Sequence, residues 1–264
     1  MHLTNLRLPR LNGNQLKILA AITMLIDHLG ILIFPRVYLL RFIGRLSYPL
    51  FAFMIAESAK YTKNKLKHFL MIFVLALLCQ IVYYFLDNGS LYMSILVSFS
   101  FATLCLYALE YFKKQIFDEN AKWFYKILSA VLFLSAIIGT NVFCQLFQVD
   151  YGFYGCITPV LVNLFDFHQI PAQGKLKKLD NLYVRIFCLF VGLALIAVSN
   201  YYTFLSMGIS GILLYLSFFS FLSLPFLCLY DGTKGKRNMK YFFYIFYPLH
   251  LVILQAISLI VYYL

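Results

Sequence analysis

Of the 264 residues in the chain, 62% are hydrophobic and only 12% are charged, with a mean hydropathy of +0.82. Soluble domains carry a charged fraction of about 25%, so this composition excludes a water-soluble enzyme and indicates an integral membrane protein. The formal charge of +12 does not point to nucleic acid, because the basic residues lie in short loops beside apolar runs and are not interleaved with aromatics on a soluble face.

The opening stretch, MHLTNLRLPRLNGNQ, is polar, carries Arg7 and Arg10, and has no small-residue cleavage site, so the first helix is expected to be retained. Nine apolar stretches follow, near 16–34, 39–59, 66–86, 91–112, 124–147, 152–166, 182–200, 208–229 and 241–262, the sixth being short. At about 1.5 Å per residue, some twenty residues cross the roughly 30 Å hydrocarbon layer. Turn signals separate the stretches: Pro35, Asp87-Asn88-Gly89, Asp118-Glu119-Asn120, Asp150-Tyr151-Gly152, Pro171 to Gly174, Asn200 and Asp231-Gly232. The expected fold is all-α, one polytopic helical bundle over residues 1–264 with about nine transmembrane helices, set in the cell membrane. Nineteen of the twenty-two Lys and Arg residues gather at the N-terminus and after the second, fourth, sixth and eighth stretches. This segregation predicts a cytoplasmic N-terminus. The six cysteines have no metal-ligand spacing and read as small buried hydrophobes.

The polar residues inside the apolar stretches carry the functional information, because such groups need protein partners or a wet cavity. The first stretch holds Asp27 and His28; the second holds Arg41 and Arg45, four apart and so on one helical face. A hairpin turning near residues 36–37 brings Arg45 to the depth of Asp27 and His28. Gly44 then permits close approach of a neighbouring helix, and Pro49 is expected to kink the second span. The cluster has two readings, a structural ion pair that pins two helices or a charge set that tunes His28 for chemistry. In the last stretch His250 stands near mid-depth behind Pro248, which should free the carbonyl of Tyr244, with Tyr244 and Tyr247 adding hydroxyls. Glu57 falls at the level of Lys17, which suggests an ion pair between them. Asn163 and Gln80 read as helix contacts. The chain lacks a phosphate-cradling glycine motif, zinc-ligand spacing and a serine nucleophile elbow. The buried acid, histidines and arginines would also suit a proton-coupled transporter.

Four blocks resemble the TraX family of multi-span membrane proteins, named for a conjugative-pilus protein linked to N-terminal acetylation of pilin. They are K17-I-L-A-A-I-T-M-L-I-D-H-L-G30, R41-F-I-G-R-L-S-Y-P-L-F-A-F-M-I-A-E57, D150-Y-G-F-Y-G155 and F243-Y-I-F-Y-P-L-H250. By this likeness Asp27, His28, Arg41, Arg45, Pro49, Glu57, Asp150, Tyr154, Gly155, Pro248 and His250 match the family's functional positions. The resemblance implies an acyltransferase that takes an acyl group, acetyl first among candidates, from cytoplasmic acyl-CoA to an amine or hydroxyl of a peptide or glycan. His28 is then the expected base, with Asp27 and Arg45 tuning its surroundings and His250 as a proton relay or oxyanion donor. Arg41, Lys63, Lys65 and Lys67 are expected to contact acetyl-CoA, and Glu57, Asp150, Tyr154 and Tyr247 the substrate.

Overall fold

The structure, a computed structural model, describes residues 10–86, 92–168, 170, 174–209, 211–237 and 239–263. Arg7, the Asp87-Asn88-Gly89 turn and residues 171–173 of the Pro171 turn lie outside the described residues.

Helix α1 (Gly13–Leu32) starts at a reciprocal cap: the Asn12 side chain accepts from the Gln15 N–H at 3.0 Å, and the Gln15 side chain accepts from the Asn12 N–H at 2.9 Å. It stops short of Pro35. The second apolar stretch is two helices, α2 (Tyr38–Gly44) and α3 (Ser47–Tyr61), with Arg45 and Leu46 at the break. Pro49 was expected to kink one helix. Instead it falls in the first turn of α3, where a missing N–H forfeits no intrahelical bond, so it helps to start a second helix.

Helix α4 (Lys65–Leu86) and helix α6 (Trp123–Leu146) are mostly exposed to the lipid side, whereas α5 (Ile95–Phe117) between them is the most enclosed of the long helices. The chain continues through α7 (Gly152–Val162), α8 (Leu182–Ser206), a 3₁₀ segment (Gly211–Ser223), α9 (Leu224–Cys228) and α10 (Lys240–Tyr263). Among the described residues seven helical segments, α2 and α3 together counting as one, are long and apolar enough to cross a membrane. The protein is a multi-pass membrane protein built as an all-α bundle.

Two of the nine expected spans take other forms. Helix α7 has 11 residues, about 16 Å at the α-helical rise, because polar groups tie down both of its ends inside the bundle. Near its start the Gly155 carbonyl accepts from the Tyr48 hydroxyl at 2.8 Å, and at its end Asn163 Nδ2 donates to the Ala56 carbonyl at 2.7 Å. The eighth stretch is largely 3₁₀. Residues three apart eclipse in that helix, so Ser217, Ser220 and Ser223 form one buried column. Ser220 and Ser223 donate to the carbonyls three residues back at 2.7 Å each, and Asn200 Nδ2 donates to Ser217 Oγ at 2.8 Å. Both short segments run alongside α2–α3, the second from the Phe42–Phe219 stack at 4.2 Å to the Tyr230–Glu57 hydrogen bond at 3.2 Å.

The last helix lies parallel to the first. Contacts between them or their approaches occur at three levels: Asn14 Nδ2 to the Arg237 carbonyl at 2.7 Å, His28 to His250, and Ser258 Oγ to the Leu32 carbonyl at 2.9 Å. The apolar core joins Leu16, Ala20 and Met24 of α1 to Tyr48 and Phe53 of α3, Phe99 of α5, Leu189 of α8 and Leu251 of α10.

Candidate active site

Asp27, on the penultimate turn of α1, sits opposite the break between α2 and α3. Its Oδ1 accepts from Arg41 Nη1 at 2.8 Å and lies 3.7 Å from Arg45 Nη2. The hairpin read from the sequence is therefore present, with Arg41 rather than Arg45 as the closer partner. Gly44 makes this approach possible, since a Cβ there would occupy the position of the Asp27 side chain. Arg45 reaches away from Asp27 to the Tyr151 hydroxyl at 3.4 Å. Tyr151 holds φ at 60°, a left-handed conformation rare for a residue with a side chain. That turn stacks its ring on Tyr48 at 4.1 Å and directs its hydroxyl to Arg45. Asp150 is anchored beside it: Oδ1 accepts from the Tyr92 hydroxyl at 3.0 Å and its carbonyl accepts from Ser98 Oγ at 2.7 Å. A short parallel bridge between Met93 and Val149 holds the two loops together.

On the next position of α1, His28 faces His250 of α10, with ring centroids 5.0 Å apart. The neighbours set the tautomers when both rings are neutral. His250 Nδ1 is 2.9 Å from the Phe246 carbonyl, an acceptor only, so Nδ1 carries the proton and Nε2 a lone pair. His28 Nδ1 is 3.0 Å from the Met24 carbonyl and 3.3 Å from that lone pair, so it too carries a proton. The free lone pair of His28 is then on Nε2, which faces the Tyr83 hydroxyl at 3.4 Å. Tyr83, His28, His250 and the Phe246 carbonyl thus make one directed chain of hydrogen bonds across three helices. The carbonyl that orients His250 is that of Phe246 and not, as was expected from Pro248, that of Tyr244.

A cavity of about 680 Å³ extends from the end of the bundle where α1 begins as far as the residues that contact this pair, and neither imidazole lines it. Its far end is lined by Met24, Phe246 and Tyr247, which hold the two imidazoles by carbonyl or ring contact. Its middle is apolar, with Phe51, Ile72, Leu75 and Phe99, and Lys17, Thr62, His68 and Lys234 stand around its mouth. Size and lining are those of a small-molecule site.

A second charged cluster lies near the start of α8. Arg185 Nη1 donates to Glu57 Oε2 at 2.5 Å, Lys60 Nζ is 3.3 Å from the same oxygen, and the Tyr230 hydroxyl donates to Oε1 at 3.2 Å. Asp166 Oδ2 takes a further contact from Lys60 at 3.3 Å, while Lys113 Nζ donates to the carbonyls of Asn163 and Asp166. The expected Glu57–Lys17 pair is not formed, because Arg185 and Lys60 occupy the carboxylate.

Of the residues predicted from sequence, Asp27, His28, Arg41, Arg45, His250 and Asp150 share one region, and Tyr247 borders the cavity just beneath it. Glu57 lines the same cavity nearer its mouth, at the other charged layer. Tyr154 is exposed on α7 and contacts the ring of Phe153. Lys63 and Lys67 are exposed, Lys65 pairs with Glu110 at 2.6 Å, and none of the three borders the cavity. Tyr83, Tyr151 and Arg185 were not singled out from the sequence. Only Tyr151 had a local signal, its place between Asp150 and a glycine.

The chain is similar in sequence to known proteins. A family model described as TraX protein matches residues 12–258. The chain is also 27% identical over 256 residues to the probable fimbrial assembly protein FimC, serogroup H1, of Dichelobacter nodosus, an alignment covering 91% of this chain and 93% of that protein. No solved structure matches.

Proposed function

Because the chain belongs to the TraX family, with a match over residues 12–258, we propose that it is a membrane-embedded acyltransferase. In this reading it moves an acyl group, acetyl first among candidates, from cytoplasmic acyl-CoA to an amine or hydroxyl of a peptide or glycan presented on the opposite side. The observation that carries the reading is the His28–His250 contact at 3.3 Å, held by Met24, Phe246 and Tyr247, which line the inner end of a cavity of about 680 Å³. The cavity opens on the side where the exposed lysines collect, including Lys63, Lys67, Lys122 and Lys236. By the positive-inside rule that side is taken as the cytoplasm, the side on which the N-terminus is expected.

The apolar walls at Phe51, Ile72, Leu75 and Phe99 suit the extended pantetheine arm of the donor. The thioester supplies an acyl group activated for attack. His28 Nε2 accepts the proton of the acceptor amine or hydroxyl, a role that suits an imidazole near neutrality. His250 Nε2 lies against the His28 Nδ1 proton, so the positive charge that appears on His28 is shared with a second ring. The pair then returns a proton to the departing thiolate. Asp27, fixed between Arg41 and Arg45, holds the α1 turn that carries His28 and keeps two cations near the negative charge that develops on the carbonyl oxygen. Glu57 stays with Arg185 and contributes to the wall.

The test is turnover of acyl-CoA, read as free coenzyme A per folded molecule in detergent against a panel of peptide amines and glycan hydroxyls, with a melting curve for each variant. His28→Ala and His250→Ala should both lose turnover while His28→Ala keeps the wild-type melting temperature. Full turnover in both folded variants would refute the assignment.

A further inference from the structure

At the cavity mouth two lysines, Lys17 and Lys234, line the same opening. Lys17 is half-buried on α1, one turn beyond its start, and lines the cavity. Lys234, exposed on the loop after α9, lines it from the opposite element. Among the described residues neither lysine makes an ion pair or a side-chain hydrogen bond. Glu57, which also borders the cavity, is already engaged by Arg185, Lys60 and Tyr230.

The loop is built to hold Lys234 in that position. The Gly13 N–H donates to the Thr233 carbonyl at 2.7 Å and the Asn14 N–H to the Lys234 carbonyl at 3.1 Å, which fastens the loop to the first turn of α1. Asp231 Oδ1 accepts from both the N–H and the hydroxyl of Thr233, at 2.7 and 2.8 Å. Gly235 has φ of +91°, and a Cβ there would come within 2.7 Å of Asn12 Oδ1, so the loop closes onto the α1 cap only with glycine at that position. Two ammonium groups on elements fastened to each other at the opening of an otherwise apolar cavity offer paired donors to an anionic group of a ligand that enters it.

We infer that Lys17 and Lys234 form a phosphate clamp, and that its ligand is the diphosphate of coenzyme A, with the pantetheine arm extending through the cavity to His28. The inference rests on the acyl-donor reading above and assigns the anchoring role to these two residues rather than to Lys63, Lys65 and Lys67. The spacing fits: Lys17 and His28 lie on one helix, about 16 Å apart along its axis by the 1.5 Å rise, with apolar cavity between them to take an uncharged arm. The same two ammonium groups would also accept the phosphate of an anionic lipid at this membrane surface, so the test includes both sources.

Purified protein in neutral detergent is titrated with coenzyme A, with pantetheine, and with phosphatidylglycerol in mixed micelles, and dissociation constants are read by calorimetry. The wild type is compared with K17Q, K234Q, the double variant, and K63Q/K67Q as a surface control, each checked by its melting temperature. The double variant should bind coenzyme A about ten- to a hundred-fold more weakly, the range for losing charge-assisted contacts, with pantetheine affinity unchanged and the control like the wild type. Equal coenzyme A affinity in wild type and a folded double variant overturns the clamp and leaves the donor reading intact. If the wild type binds neither coenzyme A nor pantetheine, the donor reading falls. Phosphatidylglycerol affinity lost with K17Q/K234Q would then show a lipid clamp and overturn the coenzyme A assignment, and its absence would overturn the clamp as well.

Discussion

Asp27 balances two arginines, and the two contacts are unequal, so its removal and theirs should differ in a defined order. With an effective dielectric of about 20, charges separated by 2.8 Å attract by about 6 kcal/mol and charges separated by 3.7 Å by about 4.5 kcal/mol before desolvation. Arg41 therefore supplies the larger share, but Arg45 is close enough to replace it. Asp27→Asn takes the carboxylate from both cations, leaving Arg45 only its contact with Tyr151. Breaking a buried pair costs about 3–5 kcal/mol, and because these side chains are 13–20% exposed the expected loss is near the lower end, about 3 kcal/mol. Arg41→Gln leaves Asp27 with Arg45 and should cost only about 1 kcal/mol. The double variant Asp27→Asn/Arg41→Gln leaves one orphaned arginine and should fall between the two, more stable than Asp27→Asn alone. Equilibrium unfolding in mixed dodecylmaltoside–SDS micelles, followed by circular dichroism, gives the three values. A double variant no more stable than Asp27→Asn, or Arg41→Gln as damaging as Asp27→Asn, would refute the shared-carboxylate account.

His28→Ala should reduce acyl-CoA turnover by about 10²- to 10⁴-fold, the usual contribution of a general base, with a melting curve close to wild type, whereas a loss that tracks stability would make the residue structural. Gly44→Ala should destabilise by about 1–3 kcal/mol through overpacking and lower turnover with it, measured by unfolding in the same micelles; a neutral result would mean α1 and α2 are farther apart than the Asp27 contact requires. Glu57→Gln should destabilise by about 3–5 kcal/mol because Arg185 is buried against it, and Glu57→Gln/Arg185→Met should recover part of that loss in thermal melts. Cys144 and Cys156 bring their sulfurs to 3.7 Å, so copper–phenanthroline oxidation should remove both from maleimide labelling together; independent labelling would contradict the packing of α6 on α7.

The sequence discloses depth along a helix more readily than contact between distant helices. Asp27 and the arginines were legible because they flank a single turn, so counting residues on either side gives their level in the membrane. Choosing between Arg41 and Arg45 was not possible by counting, since the chain breaks at Arg45 and rotates Arg41 onto the carboxylate. Glu57 shows the weakness of depth alone. Lys17 shares its level, but Arg185, 128 residues away in the chain, takes the carboxylate, and its place at the start of an apolar stretch made it look like part of the basic rim. The partnership of His28 and His250 depends on α1 and α10 being neighbours, which no local spacing encodes. For the eighth stretch a signal was present, since serines at 217, 220 and 223 follow the three-residue period of a 3₁₀ helix and not the 3.6 of an α-helix.

The pairing of the first helix with the last also sets a timetable for the protein's birth. Arg41 leaves the ribosome 14 residues after Asp27, so at about 5–20 residues per second the first hairpin can neutralise its buried charge within about three seconds. His250 emerges 222 residues after His28, a delay on the order of ten to forty seconds at the same pace. Throughout that interval the growing chain holds a complete ion pair and a solitary imidazole, so insertion of the final helix is the step that brings the two rings together. A chain truncated before α10 would be a membrane-inserted protein in which His28 has no second ring to meet.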